Sequence, residues 1–444
     1  SFATGLLVTG TKSDESLDQQ LKVEFTGDGH IYEILGGVLI VAGFALRGGT
    51  QILLLPVGAL AIFIGFNMTR DKQKAEIAAK QESAQKTSSQ AANAKEEPIV
   101  MLDPLSLELG YALIPLVDKE KGAELLERIS RIRTEARHDI GLDIPKIRIQ
   151  DNMTLEPNDY SFKIAGIEAG HSSVRVGYVM CLDTGAVTEA IDGEKTKDPA
   201  FGMDAIWLPE DRRNEAEGAG YVIVDPPTII STHITEIIRN HAAELLDRQA
   251  VSVILDTVKQ KNPVLVSEVL DTAKISYGTI EKVLQNLLEE KVSIRNYVRI
   301  LETMANYAGV SRNIWDMTQK VRDALGLQIC MQYADENKKV HVMRLSQELS
   351  ELVAERAVNP EDGSKPYVGF DPVDRRRWLK AVSASIAKAN QLNYQPIIIT
   401  VSAVRQLVRS AIEREMPGVV VLSDTEMYAA GSSISPEIIC EISD

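Results

Sequence analysis

Residues 31–46 read IYEILGGVLIVAGFAL and residues 51–66 read QILLLPVGALAIFIGF. Near residue 68 the composition breaks. A charged spacer, Thr69 to Glu97, follows, and then a long mixed body. A bilayer core of ~30 Å takes roughly 17–25 mostly apolar residues in a helix. Each run is slightly short, and the first carries Glu33. Their glycines, and Pro56 inside the second run, suit membrane helices better than helices in water. The expectation is a transmembrane helical hairpin over residues 31–68, turned by Arg47-Gly48-Gly49-Thr50. A buried soluble hairpin is the alternative. Arg70, Lys72, Lys74 and Lys80 follow the second run closely, against Arg47 in the connecting loop. The positive-inside rule then puts the spacer and the body in the cytoplasm. The chain starts with Ser and shows no basic region with a cleavage site, so neither run reads as a signal peptide. A piece of a larger membrane protein is expected.

The 444 residues carry a net charge of −15. Phosphate backbones need clustered Lys and Arg, so a nucleic-acid partner is not expected. Cys181, Cys330 and Cys440 lie far apart, which suits a reducing compartment and excludes a cysteine zinc site. The spacer is Ala, Gln, Lys, Glu and Ser, with no face from which to build a core, and reads as a flexible tether over 69–102.

The body reads as α/β and α+β, multidomain. Residues 103–176 with 226–248 form an α+β unit. In it Leu109 to Val117 is expected as a strand, Lys119 to His138 as an amphipathic helix, and Lys146 to Ile149 and Tyr160 to Ile167 as short strands. Residues 177–225 read as a small insert, with strands Tyr178 to Leu182, Ala205 to Leu208 and Tyr221 to Val224 and a helix near Pro209 to Ala219. A helix from Pro227 to Arg248 returns to the first unit. Residues 249–328 are helical and resemble a winged-helix packing unit. Residues 329–444 alternate helices with the apolar strands HVMRL, PIIITV and GVVVLSD, giving an α/β unit with a partly parallel sheet and a loop at Asn359 to Pro366.

Chemistry is sparse. Asp192-Gly193-Glu194-Lys195-Thr196 lacks the glycine and the strand-to-helix context of a phosphate loop, and no nucleophile elbow exists. His241 and Glu244 share a helix face but lack a third ligand, and the histidines read as capped or solvated. No catalytic residue, cofactor or metal is expected, and the chain is not expected to be an enzyme. A membrane-tethered enzyme with a noncontiguous site and a tethered regulator using residues 271–308 are the competing readings. In the latter, Lys282 is offset by Glu281, Glu289 and Glu290. Asp198-Pro199-Ala200-Phe201-Gly202 reads as a turn presenting an aromatic. Phe201 either plugs the insert onto the first unit or anchors a helical partner.

DPLSLELGYALIPLVD (103–118), IRIQDN (147–152), PNDY (157–160), DPAFG (198–202), GYVIVD (220–225), THI (232–234), AAELLDRQ (242–249) and KVLQNLLEEKVSIR (282–295) resemble, in order, the cytosolic region of the FHIPEP family of type III secretion export gates. GLLVTG (5–10) is similar to the end of that family's cytoplasmic loop, here over 1–30. The likeness is strong through about residue 330 and weaker after it. DPAFG and THI favour the flagellar branch over the injectisome branch. The resemblance implies a multi-pass protein of the bacterial inner membrane whose four-subdomain cytosolic region assembles as a homo-nonameric ring. That ring would dock export chaperones with bound substrates, alongside other export-gate membrane proteins and the export ATPase complex. It implies chaperone-binding roles for Asp198, Phe201 and Thr232, and a hinge role for Gly110, where glycine permits backbone angles other residues resist.

Overall fold

The computed structural model describes residues 29–45, 56–60, 62–63, 66, 102–118 and 124–444. It divides into two units, Ser1–Met101 and Leu102–Asp444. The expected loop over 1–28, the link at 47–50, the spacer over 69–101 and much of the second apolar run lie outside the described residues.

In the first unit Gly29–Ala45 is a helix of 17 residues, and residues 56–60 are helical. Gly36 and Gly58 are buried against each other: a Cβ on Gly36 would lie 2.6 Å from the Gly58 carbonyl oxygen. Small residues let helix backbones approach this closely. Ile34, Leu35, Val38, Val41, Val57, Leu60 and Phe63 are exposed. At 1.5 Å per residue the first helix spans ~26 Å, short of a ~30 Å core. Among the described residues no helix is long and apolar enough to cross a membrane. The transmembrane hairpin is therefore not established by these elements.

The second unit opens with β1 (Leu105–Leu109), every residue of it buried. Leu105, Leu107 and Leu109 alternate into the core, while Glu108 on the other face binds Lys163 Nζ at 2.6 Å and Asn152 Nδ2 at 2.6 Å. This corrects the strand expected over 109–117. There Tyr111–Leu116 is a 3-10 turn, because the backbone is diverted at Gly110 and Pro115 has no amide to donate to a ladder. With β2 (Ile147–Asp151), β3 (Asp159–Ile164) and β4 (Ile167–Ser173), β1 forms a sheet ordered β2-β1-β3-β4. The helices Glu124–Asp139 and Pro226–Asn240 pack beside it.

The insert is an antiparallel sheet of β5 (Tyr178–Leu182), β6 (Glu194–Lys197), β7 (Asp204–Pro209) and β8 (Val222–Val224), ordered β6-β7-β5-β8. Its two faces have different partners. Val179, Cys181 and Leu208 form a small core with Ala216, whereas Met180, Leu182, Ala205 and Trp207 join the main core. Burial pushes the Cys181 thiol up to about 11, which keeps it unreactive. The expected helix from 227 to 248 is broken. It ends at Asn240, a short turn Ala242–Leu245 follows, and Asp247 caps a new helix, Arg248–Lys261, by accepting the Ala250 amide.

Helices Tyr277–Glu289, Tyr297–Tyr307 and Ile314–Ala324 carry their own caps in Ser276, Asn296 and Asn313. The last sheet is wholly parallel: β9 (Lys339–Leu345), β12 (Ile397–Thr400), β13 (Val420–Ser423) and β14 (Ser435–Ile442), ordered β13-β12-β9-β14. The small hairpin of β10 (Ala357–Val358) and β11 (Tyr367–Val368) brackets the loop at 359–366. Strand β14 escapes sequence reading because SPEIICEI lacks a continuous apolar run.

A buried charge cluster ties this sheet unit to the helices before it. Arg322 Nε lies 2.7 Å from Glu426 Oε1, and its Nη1 lies 3.2 Å from Glu290 Oε2. Arg405 grips Glu290 with two bonds, at 2.6 and 3.0 Å. Removing one member leaves a buried charge unpaired, so Arg322→Met should cost about 3–5 kcal/mol in urea denaturation. A loss below about 1 kcal/mol would contradict the cluster's role. Burial pushes the Glu290 carboxyl up, but Arg322 and Arg405 outweigh this and hold it at about 2. A depressed carboxyl stabilises above its unfolded pKa of 4.5 and loses that contribution as pH falls toward about 2. The unfolding midpoint of Glu290→Gln should therefore vary less with pH across that window than the midpoint of the unsubstituted chain.

Candidate functional site

The turn between β6 and β7 is built by one side chain. The Asp198 carboxylate accepts the Phe201 amide at 2.7 Å, while its backbone accepts the Gly202 amide at 2.8 Å and donates to the Met203 carbonyl at 2.9 Å. Gly202 has φ +70°, a conformation that favours glycine. Asp198 is 6% exposed, yet Phe201 is 60% exposed. The side chain of Phe201 thus does not plug the core, and the turn holds it outward.

The charge of Asp198 also reaches the first unit. Tyr160 on β3 is fully buried, and its hydroxyl meets His233 Nδ1 at 2.8 Å with the rings edge-on. Burial pushes the His233 pKa down, and the negative charge of Asp198 opposes this. Burial raises that of Tyr160, with Asp198 adding in the same direction. Burial therefore favours the uncharged form of His233. Thr232, the preceding residue of helix Pro226–Asn240, is half-buried. Asp198 thus lies near enough to this helix for its charge to act on His233, the neighbour of Thr232.

His233 and Tyr160 are the residues sequence reading missed. The histidines were expected to be capped or solvated, whereas His233 is 8% exposed. Its signal lay in the strings already noted, since THI holds His233 and PNDY holds Tyr160. His241 does pair with Glu244, at 3.2 Å on the surface. Among the described residues no group of three or more His, Cys, Asp or Glu side chains is placed to hold a metal ion.

Gly110 stands at the end of β1, next to the Leu109–Tyr160 pair. Its φ of −64° and ψ of 156° are open to any residue, so backbone freedom is not why glycine is needed. The reason is steric. A Cβ there would lie 2.2 Å from the Glu156 carbonyl oxygen, and the Gly110 amide donates to Asp159 at 2.8 Å. The turn leading into Tyr160 is therefore packed against a missing side chain. Gly110→Ala should cost about 1–3 kcal/mol or more through this overlap. Thermal unfolding checks it, and an unchanged midpoint would contradict the steric account.

Comparison with known proteins places these features in a family. The FHIPEP family matches residues 1–431. The chain is 40% identical over 436 residues to the flagellar biosynthesis protein FlhA of Treponema pallidum, covering 96% of this chain and 61% of that protein. It is 32% identical over 430 residues to that of Bacillus subtilis, covering 97% and 63%. It thus spans about three fifths of the length of the curated relatives it matches. Among solved structures, the Chlamydia pneumoniae CdsV protein superposes with a TM-score of 0.68 at 23% identity, covering 79% of this chain and all of that one. The nonameric EPEC SctV-C gives 0.63 at 19% identity, covering 77% and 99%. At these identities the structural likeness speaks for the fold alone. The match over residues 1–431, with relatives at 30% identity and above, shows that the chain belongs to the FHIPEP family.

Proposed function

We propose that the chain acts as an export-gate component of a flagellar type III protein export apparatus, and that its unit from Leu102 onward docks export chaperones with their bound substrates. The observation that carries this is the exposed Phe201, held outward by the buried carboxylate of Asp198 beside the helix bearing Thr232. Phe201 supplies apolar area, and Asp198 and Thr232 supply the polar surroundings that orient a helical partner. The flagellar names of the relatives at 30–40% identity support the flagellar reading over the injectisome one.

In this reading residues 31–68 form a hairpin in the bacterial inner membrane, and the spacer over 69–102 tethers a cytoplasmic body of four subdomains. The Gly36–Gly58 contact and the apolar outer face of its helices support the hairpin. A homo-nonameric ring is supported by the related fold described as nonameric. Contacts with other export-gate membrane proteins and with the export ATPase complex complete the proposal; a protein of related fold, CdsV of Chlamydia pneumoniae, is solved in complex with the CdsO protein. Gly110 would be a pivot, since the turn it clamps leads directly to Tyr160. The chain would work without catalytic residues or a cofactor.

An anchor of this kind is typically worth about 2 kcal/mol or more, so Phe201→Ala should weaken binding of a substrate-loaded chaperone about 30-fold. Titration calorimetry checks this, and equal affinity would remove Phe201 from the site.

A further inference from the structure

One helix of the last unit treats the charges on its two sides differently. Pro372–Gln391 is 20 residues long and is capped by Asp371, whose carboxylate accepts the Val373 and Asp374 amides at 2.8 and 2.9 Å. Trp378, Ala381, Val382 and Ala389 bury its inner side in the core of the last sheet. It carries the cations Arg375, Arg376, Arg377, Lys380 and Lys388, and no Asp or Glu occurs from Arg375 to its end. Two of the cations reach carboxylates elsewhere on the chain. Arg375 pairs with Glu415, and Arg377 pairs with Glu348 at 2.6 Å and Asp444 at 2.5 Å. Arg376, Lys380 and Lys388 are exposed and, among the described residues, have neither an ion pair nor a hydrogen bond.

These three cations are not scattered. Residues four apart are neighbours on a helix surface, so Arg376, Lys380, Ala384 and Lys388 form one row, and Ala384 interrupts it. Ser383 and Ala387 beside it are also small and exposed. The row therefore has a low saddle between two lysines. Lys388 is eight residues past Lys380, or ~12 Å along the axis, which is about the diameter of one α-helix with its side chains. Small residues at a crossing let two helix axes come as close as roughly 8 Å. The saddle thus has the width and the depth for a crossing helix.

Charge selects the partner. Like charges four residues apart repel, so Arg376 beside Lys380 works against the helix until a carboxylate comes between them. The whole chain carries −15. A membrane surface or a nucleic acid is an extended polyanion that meets this surplus along with the row, whereas a single acidic helix touches the row alone.

We propose that this face docks an acidic helix of a partner protein, seated across Ala384 between Lys380 and Lys388, with its carboxylates on those lysines and on Arg376. The proposal is independent of the docking role of Phe201.

The test titrates the full chain, in neutral-lipid nanodiscs, into a fluorescein-labelled stapled alanine helix of roughly four turns carrying glutamates four residues apart, with anisotropy as the readout. The glutamate helix should bind at least ~10-fold tighter than the same helix with lysines, and salt should weaken it. The triple variant Arg376→Gln, Lys380→Gln, Lys388→Gln should lose that preference with an unchanged thermal midpoint, since these side chains pair with nothing in the fold. Ala384→Trp leaves every charge in place but should fill the saddle and weaken binding at least ~10-fold. An unstapled peptide with a central proline keeps the charges without the helix and should bind at least ~10-fold more weakly. Equal binding of the glutamate and lysine helices, full binding by Ala384→Trp, equal binding of the proline-broken peptide, or no binding at millimolar peptide would overturn the proposal. Flotation of the chain with phosphatidylglycerol vesicles that is lost in the triple variant would assign the face to a membrane and overturn it too. Phe201→Ala should leave binding unchanged, and a loss there would move the peptide to the Asp198–Gly202 turn and overturn the assignment.

Discussion

The Asp198 carboxylate is the interaction on which the candidate site depends. Burying a carboxylate is costly unless donors and fixed dipoles replace its water. Here the Phe201 amide is one donor, and the same hydrogen bond closes the turn. The charge of Asp198 also acts on the hydrogen-bonded Tyr160–His233 pair of the first unit. One side chain thus shapes the loop and carries its charge toward the sheet behind it. Because the turn is closed by this bond, the backbone that carries the exposed Phe201 is fixed by the protein itself. Such preorganisation lowers the ordering cost of binding.

The same economy recurs elsewhere in the chain. Strand β5 serves two cores because alternate residues face opposite ways: Val179 and Cys181 into the insert, Met180 and Leu182 into the main body. Gly110 serves by having no side chain, which lets the Glu156–Asp159 turn close on the end of β1. Gly36 and Gly58 do the same between apolar helices. Farther on, the cluster of Glu290, Arg322, Arg405 and Glu426 adds charge pairing to the apolar core that the helices share with the last sheet. A pairing of that kind specifies one arrangement, since any shift strands a buried charge.

Much of this was legible wherever the signal is local. YVMCL announced β5, HVMRL, PIIITV and GVVVLSD announced three parallel strands, and DPAFG announced the turn that presents Phe201. Long-range constraints were not legible. LGYALIPLV looks like a strand by composition, but contact of Gly110 with Glu156 moves the strand back to LSLEL. The helix over 227–248 breaks at His241 and is recapped at Asp247, a choice made by packing against the helical block. Tyr160 and His233 are 73 residues apart, and Arg322 and Glu426 are 104 apart. No spacing rule reaches across such distances.

A docking role for the Asp198–Gly202 turn and the helix bearing Thr232 makes both segments change on chaperone binding. Hydrogen–deuterium exchange on the full chain, with and without a substrate-loaded export chaperone, tests it most directly. Added protection is expected in peptides covering residues 198–204 and 226–240, where Phe201 and Thr232 lie. Protection confined to other parts of the chain, with both of these peptides unchanged, would contradict it.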